Sequence, residues 1–208
     1  MKSLSLTLAV LAVISGAHCF GKELPALEPK FSMIEPKEGW DYFFGSCSWY
    51  CGAPAMRFEA TSSLTEAGGM SYPAMQAHDQ KMTTVWSEGV PGNGEGEKLT
   101  FTFSTTKKDT TDLGVTSCAI ATGYQASKNL FLQNSRPKRL QLIVDGHPTA
   151  VLNLKDEMGL QWFEIPKLKL ERPSTHTISL KILEVYPGAK FQDTCISEVY
   201  FQGTGQMH

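Results

Sequence analysis

Apolar and polar positions alternate along most of this chain with a period of two. Leu99-Thr100-Phe101-Thr102-Phe103 alternates strictly, which predicts a strand carrying Leu99, Phe101 and Phe103 on one face. Similar alternation, or a short apolar run, recurs at 113–123, 140–144, 150–154, 162–165, 177–185 and 195–201. Asp145-Gly146 separates two of these runs and predicts a tight hairpin; Pro187-Gly188 follows another. No sustained 3.6-residue stripe is present, and only 64–76 could hold a short helical turn. Short strands punctuated by Gly and Pro predict an all-β sandwich or barrel. There is no internal repeat and no low-complexity tract. Residues 20–40 are rich in Pro, Glu and Lys (Pro25, Pro29, Pro36) and read as a leader with little core of its own. The expected organisation is therefore a leader or linker over 20–50 and one β domain over 51–205.

Composition narrows the functional classes. The 208 residues carry 19 Lys+Arg against 21 Asp+Glu, a formal net charge of −2, with 41% hydrophobic and 19% charged residues. Such a chain folds around a core, and it lacks the clustered positive charge with which nucleic-acid binders displace counterions. Arg136-Pro137-Lys138-Arg139 is too short to alter that.

At the N-terminus, Lys2 precedes an apolar run from Leu4 to Ile14, and small residues follow at Ser15-Gly16-Ala17. This layout predicts a secretory signal peptide over 1–19, cleaved after Ala17 or Cys19, because the run is too short for a permanent membrane helix. His18 before Cys19 fits a bacterial lipid-attachment signal poorly. No later stretch is long and apolar enough to span a bilayer. The expected location is extracellular or periplasmic, and such compartments are oxidising. Cys47, Cys51, Cys118 and Cys195 then remain, and four cysteines allow three pairings. A Cys118–Cys195 bridge would clip two strands across a long loop, leaving Cys47 and Cys51 to close a small ring. The competing reading of Cys47 and Cys51 is a zinc half-site, but no second pair at ligand spacing follows.

Catalytic signatures are missing. The five histidines are scattered, and neither a Gly-x-Ser-x-Gly elbow nor a His-Glu-x-x-His helix occurs. Gly92-Asn93-Gly94-Glu95-Gly96 lies ahead of a strand and reads as a turn rather than a phosphate loop. The segment from Tyr72 to Trp86 offers an acid, hydroxyls and turn carbonyls, which suit a hard cation such as Ca²⁺; Asp79 alone also fits an ordinary turn. Trp86 and Phe101 are assigned to the core.

Tyr72-x-Ala74, Ala77-x-Asp79 and Thr84-x-Trp86 together resemble the opening pattern of discoidin-type domains, the coagulation-factor C-type modules of the galactose-binding-like superfamily. Gly123-Tyr124, Asn134-Ser135-Arg136-Pro137-Lys138, Glu184 to Lys190 and Asp193 to Val199 continue it in order. Over about 55–202 the chain is most similar to the glycan-binding or translocation region of secreted bacterial NAD glycohydrolase toxins. That resemblance implies a jelly-roll sandwich of about eight antiparallel strands with ligands at its loop end. It also implies a structural Ca²⁺ held by Ala77, Asp79, Thr84 and Glu198, although Gln80 stands where the pattern has Gly and Lys81 adjoins it. The implied function is a secreted, non-catalytic module that binds a cell-surface or extracellular glycan. Such a sugar site needs an aromatic platform and planar polar groups that grip hydroxyl pairs. Tyr124, Asn134 and Arg136, at the borders of neighbouring strands, meet that need, with Trp162 and Trp49 as secondary candidates. Each has a structural alternative: Tyr124 as a loop brace, Arg136 as an ion-pair partner of Glu184 or Asp193, Trp162 as core. The alternative function is a structural or adhesion domain on the same scaffold, with an envelope or extracellular protein as partner.

Overall fold

The computed structural model describes residues 23–34, 56–108 and 111–205. Within them the chain forms eleven strands: β1 Ala26–Leu27, β2 Phe31–Met33, β3 Met56–Ala60, β4 Trp86–Ser87, β5 Lys98–Ser104, β6 Gly114–Thr122, β7 Arg136–Val144, β8 His147–Asn153, β9 Leu160–Lys169, β10 Thr175–Tyr186 and β11 Cys195–Thr204. A 3-10 turn spans Ala74–His78 and a short helix, α1, spans Lys128–Gln133. Eight of the strands have five residues or more, the number the family resemblance implies, and three shorter ones add to them.

Two sheets result. One has the order β1-β8-β7-β10-β5-β3 and the other β2-β9-β6-β11-β4. Between the named strands every described pairing is antiparallel except β1 on β8. The fold is an all-β jelly-roll sandwich. Alternation sets its core: β5 runs intermediate-buried-intermediate along its length, and Leu99, Phe101 and Phe103 are sealed inside. Phe101 and Phe103 meet Phe201 of the opposite sheet edge-on, at 5.1 and 5.4 Å between ring centroids. Trp86 is fully buried and donates its indole N–H to the Ser62 carbonyl at 3.0 Å.

Asp145 and Gly146 both take positive φ, +46° and +80°, which closes the β7–β8 hairpin as its sequence predicts. The Asp145 carboxylate then reaches β10, accepting the Thr177 N–H at 2.7 Å and meeting His176 Nδ1 at 3.0 Å. His176 Nε2 accepts the Glu171 N–H at 3.0 Å, so Nδ1 is the protonated nitrogen that faces Asp145.

Two expectations change. The leader is part of the sandwich: β1 extends the first sheet along β8 and β2 extends the second along β9. Its proline spacing hid two strands too short to show alternation. Secondly, Cys118 and Cys195 are unbridged, buried thiols. Cys118 faces Phe201 across the β6–β11 ladder, six residues from Cys195. That is about 20 Å of strand, against the ~7 Å that a disulfide can span. Burial pushes both thiols up to about 12. Residues 1–19, where a signal peptide is expected, and Cys47, Cys51 and Trp49 lie outside the described residues. Among the described residues no helix is long and apolar enough to cross a membrane.

Candidate binding site

A pocket of about 210 Å³ opens at the end of the sandwich where β6, β11 and β4 terminate. Tyr124 and Asn134 line it, together with Tyr72, Glu66, Phe191 and Asp193. These residues come from the loops before β4, after β6 and before β11, so the topology gathers side chains that lie far apart in sequence.

Gly123 places Tyr124. Its φ of +75° turns the chain out of β6, and a Cβ there would come within 2.7 Å of the Arg136 side chain. The Gly123 N–H holds the Cys195 carbonyl at 2.8 Å, which ties this turn to β11. Asn134 ends α1: its backbone N–H and side-chain amide both donate to the Leu130 carbonyl, at 3.2 and 2.9 Å. Ser127 caps the other end by accepting the Leu130 N–H at 3.2 Å.

Arg136 is a brace and not a pocket residue. It is 4% exposed and forks onto Asp156, with Nε–Oδ1 at 2.6 Å and Nη2–Oδ2 at 2.9 Å. Its Nη1 donates to the Phe131 and Asn134 carbonyls at 3.0 and 2.8 Å, and its guanidinium lies 4.8 Å from the Phe131 ring centre. The side chain therefore caps the last carbonyls of α1 from below and fixes Asn134 for the pocket. Its acidic partner is Asp156, neither Glu184 nor Asp193; Glu184 pairs with Lys138 instead. Trp162 is also elsewhere. It sits half-buried in β9, its ring stacked on Phe31 with centroids 5.6 Å apart and planes 11° from parallel.

Tyr72 donates its phenol proton to Glu66 Oε1 at 2.9 Å, with the Met70 sulfur at 3.2 Å. Burial first, then the Glu66 carboxylate, push this phenol up to about 12, so it stays neutral. Tyr72 opens the first motif segment and Asp193 the last, so both were visible in the sequence as motif residues, Tyr72 without a role and Asp193 only as a partner for Arg136. Glu66 and Phe191 carry no local signal. Behind the pocket the buried Glu88 accepts the Thr194 and Val90 N–H groups at 3.0 and 2.9 Å, pinning the glycine-rich turn to β11. Burial raises its carboxyl above the usual range despite those two bonds.

The second candidate site follows the 3-10 turn. Asp79 accepts the Thr84 hydroxyl on both oxygens at 2.8 Å, and the Lys81 N–H at 3.0 Å. Glu198 Oε2 accepts the Gln80 N–H at 2.9 Å, while Oε1 is buried with no hydrogen-bond partner. Burial, and then the Asp79 charge, raise the Glu198 carboxyl well above its ordinary value. Gln80 adopts φ +64°, the left-handed conformation that the usual glycine would supply. Ala77 is fully buried in the same turn. Among the described residues no three His, Cys, Asp or Glu side chains gather as a metal centre. The donor set here is two carboxylates with hydroxyl and carbonyl oxygens, the kind a hard cation takes; Glu198 Oε1, which lacks a hydrogen bond and lies 3.6 Å from His78 Nδ1, fits that chemistry.

Comparison with known proteins gives a family. Residues 49–202 match the family model described as the NAD glycohydrolase translocation F5/8 type C domain. No curated protein matches the chain. Among solved structures, the CBM32-1, CBM32-2 and M60 catalytic domains of Clostridium perfringens ZmpB align with a TM-score of 0.49 and 10% identity, over 71% of this chain and 14% of that one. The CBM32-1 and CBM32-2 domains of the same protein in complex with GalNAc align with a TM-score of 0.45 and 10% identity, over 74% and 33%. A family 89 glycoside hydrolase from Clostridium perfringens, in complex with 2-acetamido-1,2-dideoxynojirmycin, aligns with a TM-score of 0.41 and 12% identity, over 73% and 14%. This chain thus spans from 14% to 33% of the length of these structures.

Proposed function

Because the chain belongs to the NAD glycohydrolase translocation F5/8 type C domain family, we propose that it is an exported, non-catalytic module that holds a glycan in the loop-end pocket. The observation that carries this reading is the pocket itself. Tyr72, Tyr124 and Phe191 supply aromatic surface beside the amide of Asn134 and the carboxylates of Glu66 and Asp193, within about 210 Å³. A pyranose presents a C–H face to such rings and hydroxyl pairs to such acceptors. A single sugar site binds with an affinity of roughly millimolar to micromolar, so retention on a surface depends on multivalency.

The test is a glycan array with the purified chain, followed by calorimetry on the hits. Tyr124→Ala is expected to weaken binding at least about tenfold with the unfolding midpoint unchanged. An array without hits at high protein concentration would overturn the reading. An adhesion role toward a protein is the second reading, favoured by exposed Met70 and Phe191 at 61% and 39% beside the same pocket. Pull-down by an envelope protein that survives Tyr124→Ala would favour it.

For the loop of Asp79, Thr84 and Glu198, with the Ala77 carbonyl, the proposal is a structural Ca²⁺ that neutralises the two carboxylates and stiffens the turn. Calcium is expected to raise the melting temperature of the native chain by several degrees, and Glu198→Gln is expected to remove that rise. A melt indifferent to calcium and chelator would exclude the ion.

A further inference from the structure

We infer that the loop-end pocket selects amino sugars with a free, protonated amine over neutral and acidic sugars; this rests on the glycan reading above. The pocket's charge is one-sided. Among the described residues, Glu66 and Asp193 line it and no Lys, Arg or His does. Arg136, the cation closest in sequence to Asn134, is turned away and spent on Asp156 and the α1 carbonyls. Tyr72 adds no charge, because its phenol keeps its proton and gives it to Glu66 Oε1. That bond occupies one Glu66 oxygen, and the other remains to accept from a ligand.

The aromatic lining points the same way. The faces of Tyr72, Tyr124 and Phe191 carry the negative side of the ring quadrupole, which attracts an ammonium group. Phe191 is already engaged in this way by Lys190, whose ammonium lies 4.7 Å from its ring centre, so the ligand's ammonium is assigned to Tyr72 and Tyr124. A pyranose with an ammonium in place of one hydroxyl would stack on a tyrosine and donate charge-assisted hydrogen bonds to Asp193 and Glu66. N-acetylation removes that charge and adds bulk. A uronate, sialate or sulfate would bring a third negative charge against the exposed Glu66 and the partly buried Asp193, which is repulsive.

The experiment is calorimetric titration of the full chain with four probes: galactosamine, N-acetylgalactosamine, galactose and galacturonic acid. Each is repeated with the gluco isomer, at low and high salt. Galactosamine or glucosamine is expected to bind about five- to tenfold tighter than its neutral counterparts, with the advantage shrinking in salt, and the uronic acids to give no heat. In Glu66→Gln and Asp193→Asn, both checked for native near-UV circular dichroism, the amine-to-neutral ratio is expected to fall toward one. Equal or tighter binding of the neutral sugars would overturn the selectivity while leaving the glycan reading standing. Silence from all the sugars would overturn both, as would binding confined to a lysine-bearing peptide used as control.

Discussion

Arg136 makes four hydrogen bonds from a nearly sealed position, so truncating it leaves Asp156 and two helix-end carbonyls without their donor. Arg136→Ala is therefore expected to lower the unfolding free energy by about 2–4 kcal/mol, read from urea denaturation, with sugar affinity reduced only through the displaced Asn134. Arg136→Lys should recover less than half of that loss, because an ammonium cannot fork onto Asp156 and reach the carbonyls together. The two buried thiols give a second residue-scale prediction. With both pushed up to about 12, Cys118 and Cys195 should resist a thiol reagent in the native state and react fully in denaturant, as peptide mapping would show. What could be read at this scale depended on neighbours. Tyr124 and Asn134 flank recognisable strands, and both line the pocket. Arg136 flanks one too, yet which side its long chain would take depended on Asp156, twenty residues away and in another loop. Glu66 and Phe191 carry no pattern of their own, because a pocket built from three loops is a product of topology.

At the scale of elements, two loops among the described residues hold a non-glycine residue in the left-handed region, and each makes a measurable claim. Gln80 at φ +64° bears the steric cost of a Cβ that glycine would avoid, while its N–H serves Glu198 whatever its side chain. Gln80→Gly should thus be neutral to stabilising by up to about 1 kcal/mol, and Gln80→Val clearly destabilising, in thermal melts. Asp145 anchors the β7–β8 hairpin to β10. Partial burial opposes its ionisation, but bonds from His176 and Thr177 outweigh it and hold the carboxyl below its ordinary value. A carboxyl depressed in the fold contributes its stability above its unfolded value, near 3.9, and loses it as pH falls through the folded one. Stability should therefore decline below about pH 4, and Asp145→Asn should flatten that part of a pH–denaturation series. Strands were legible because alternation is a local property: β5 to β11 stand where the sequence predicts, within a few residues. Helix α1 was not, since six residues are too few to show a 3.6-residue stripe, and its stability comes from Ser127, Asn134 and Arg136.

For the whole molecule, the segment over 23–34 decides how the sandwich is closed. β1 lies on the outer edge of one sheet and β2 on the outer edge of the other, so a handful of residues bridges the two layers. Leu27 packs against the core, Phe31 stacks on Trp162, and the Lys30 N–H reaches the Trp162 carbonyl at 2.7 Å. Without this strap, β8 and β9 become open edges, the feature that invites strand-to-strand association between molecules. Hydropathy alone could not expose the strap, because two- and three-residue strands gain their meaning only from the edges they cover. Deleting residues 23–34 is expected to lower stability by roughly 2–4 kcal/mol, from lost apolar burial and stacking, and to shift Trp162 fluorescence toward the red. It should also raise the aggregated fraction on size-exclusion chromatography, while the loop-end pocket, built from other segments, still binds its sugar. Unchanged stability and a monodisperse profile after the deletion would show that these residues decorate the sandwich without closing it.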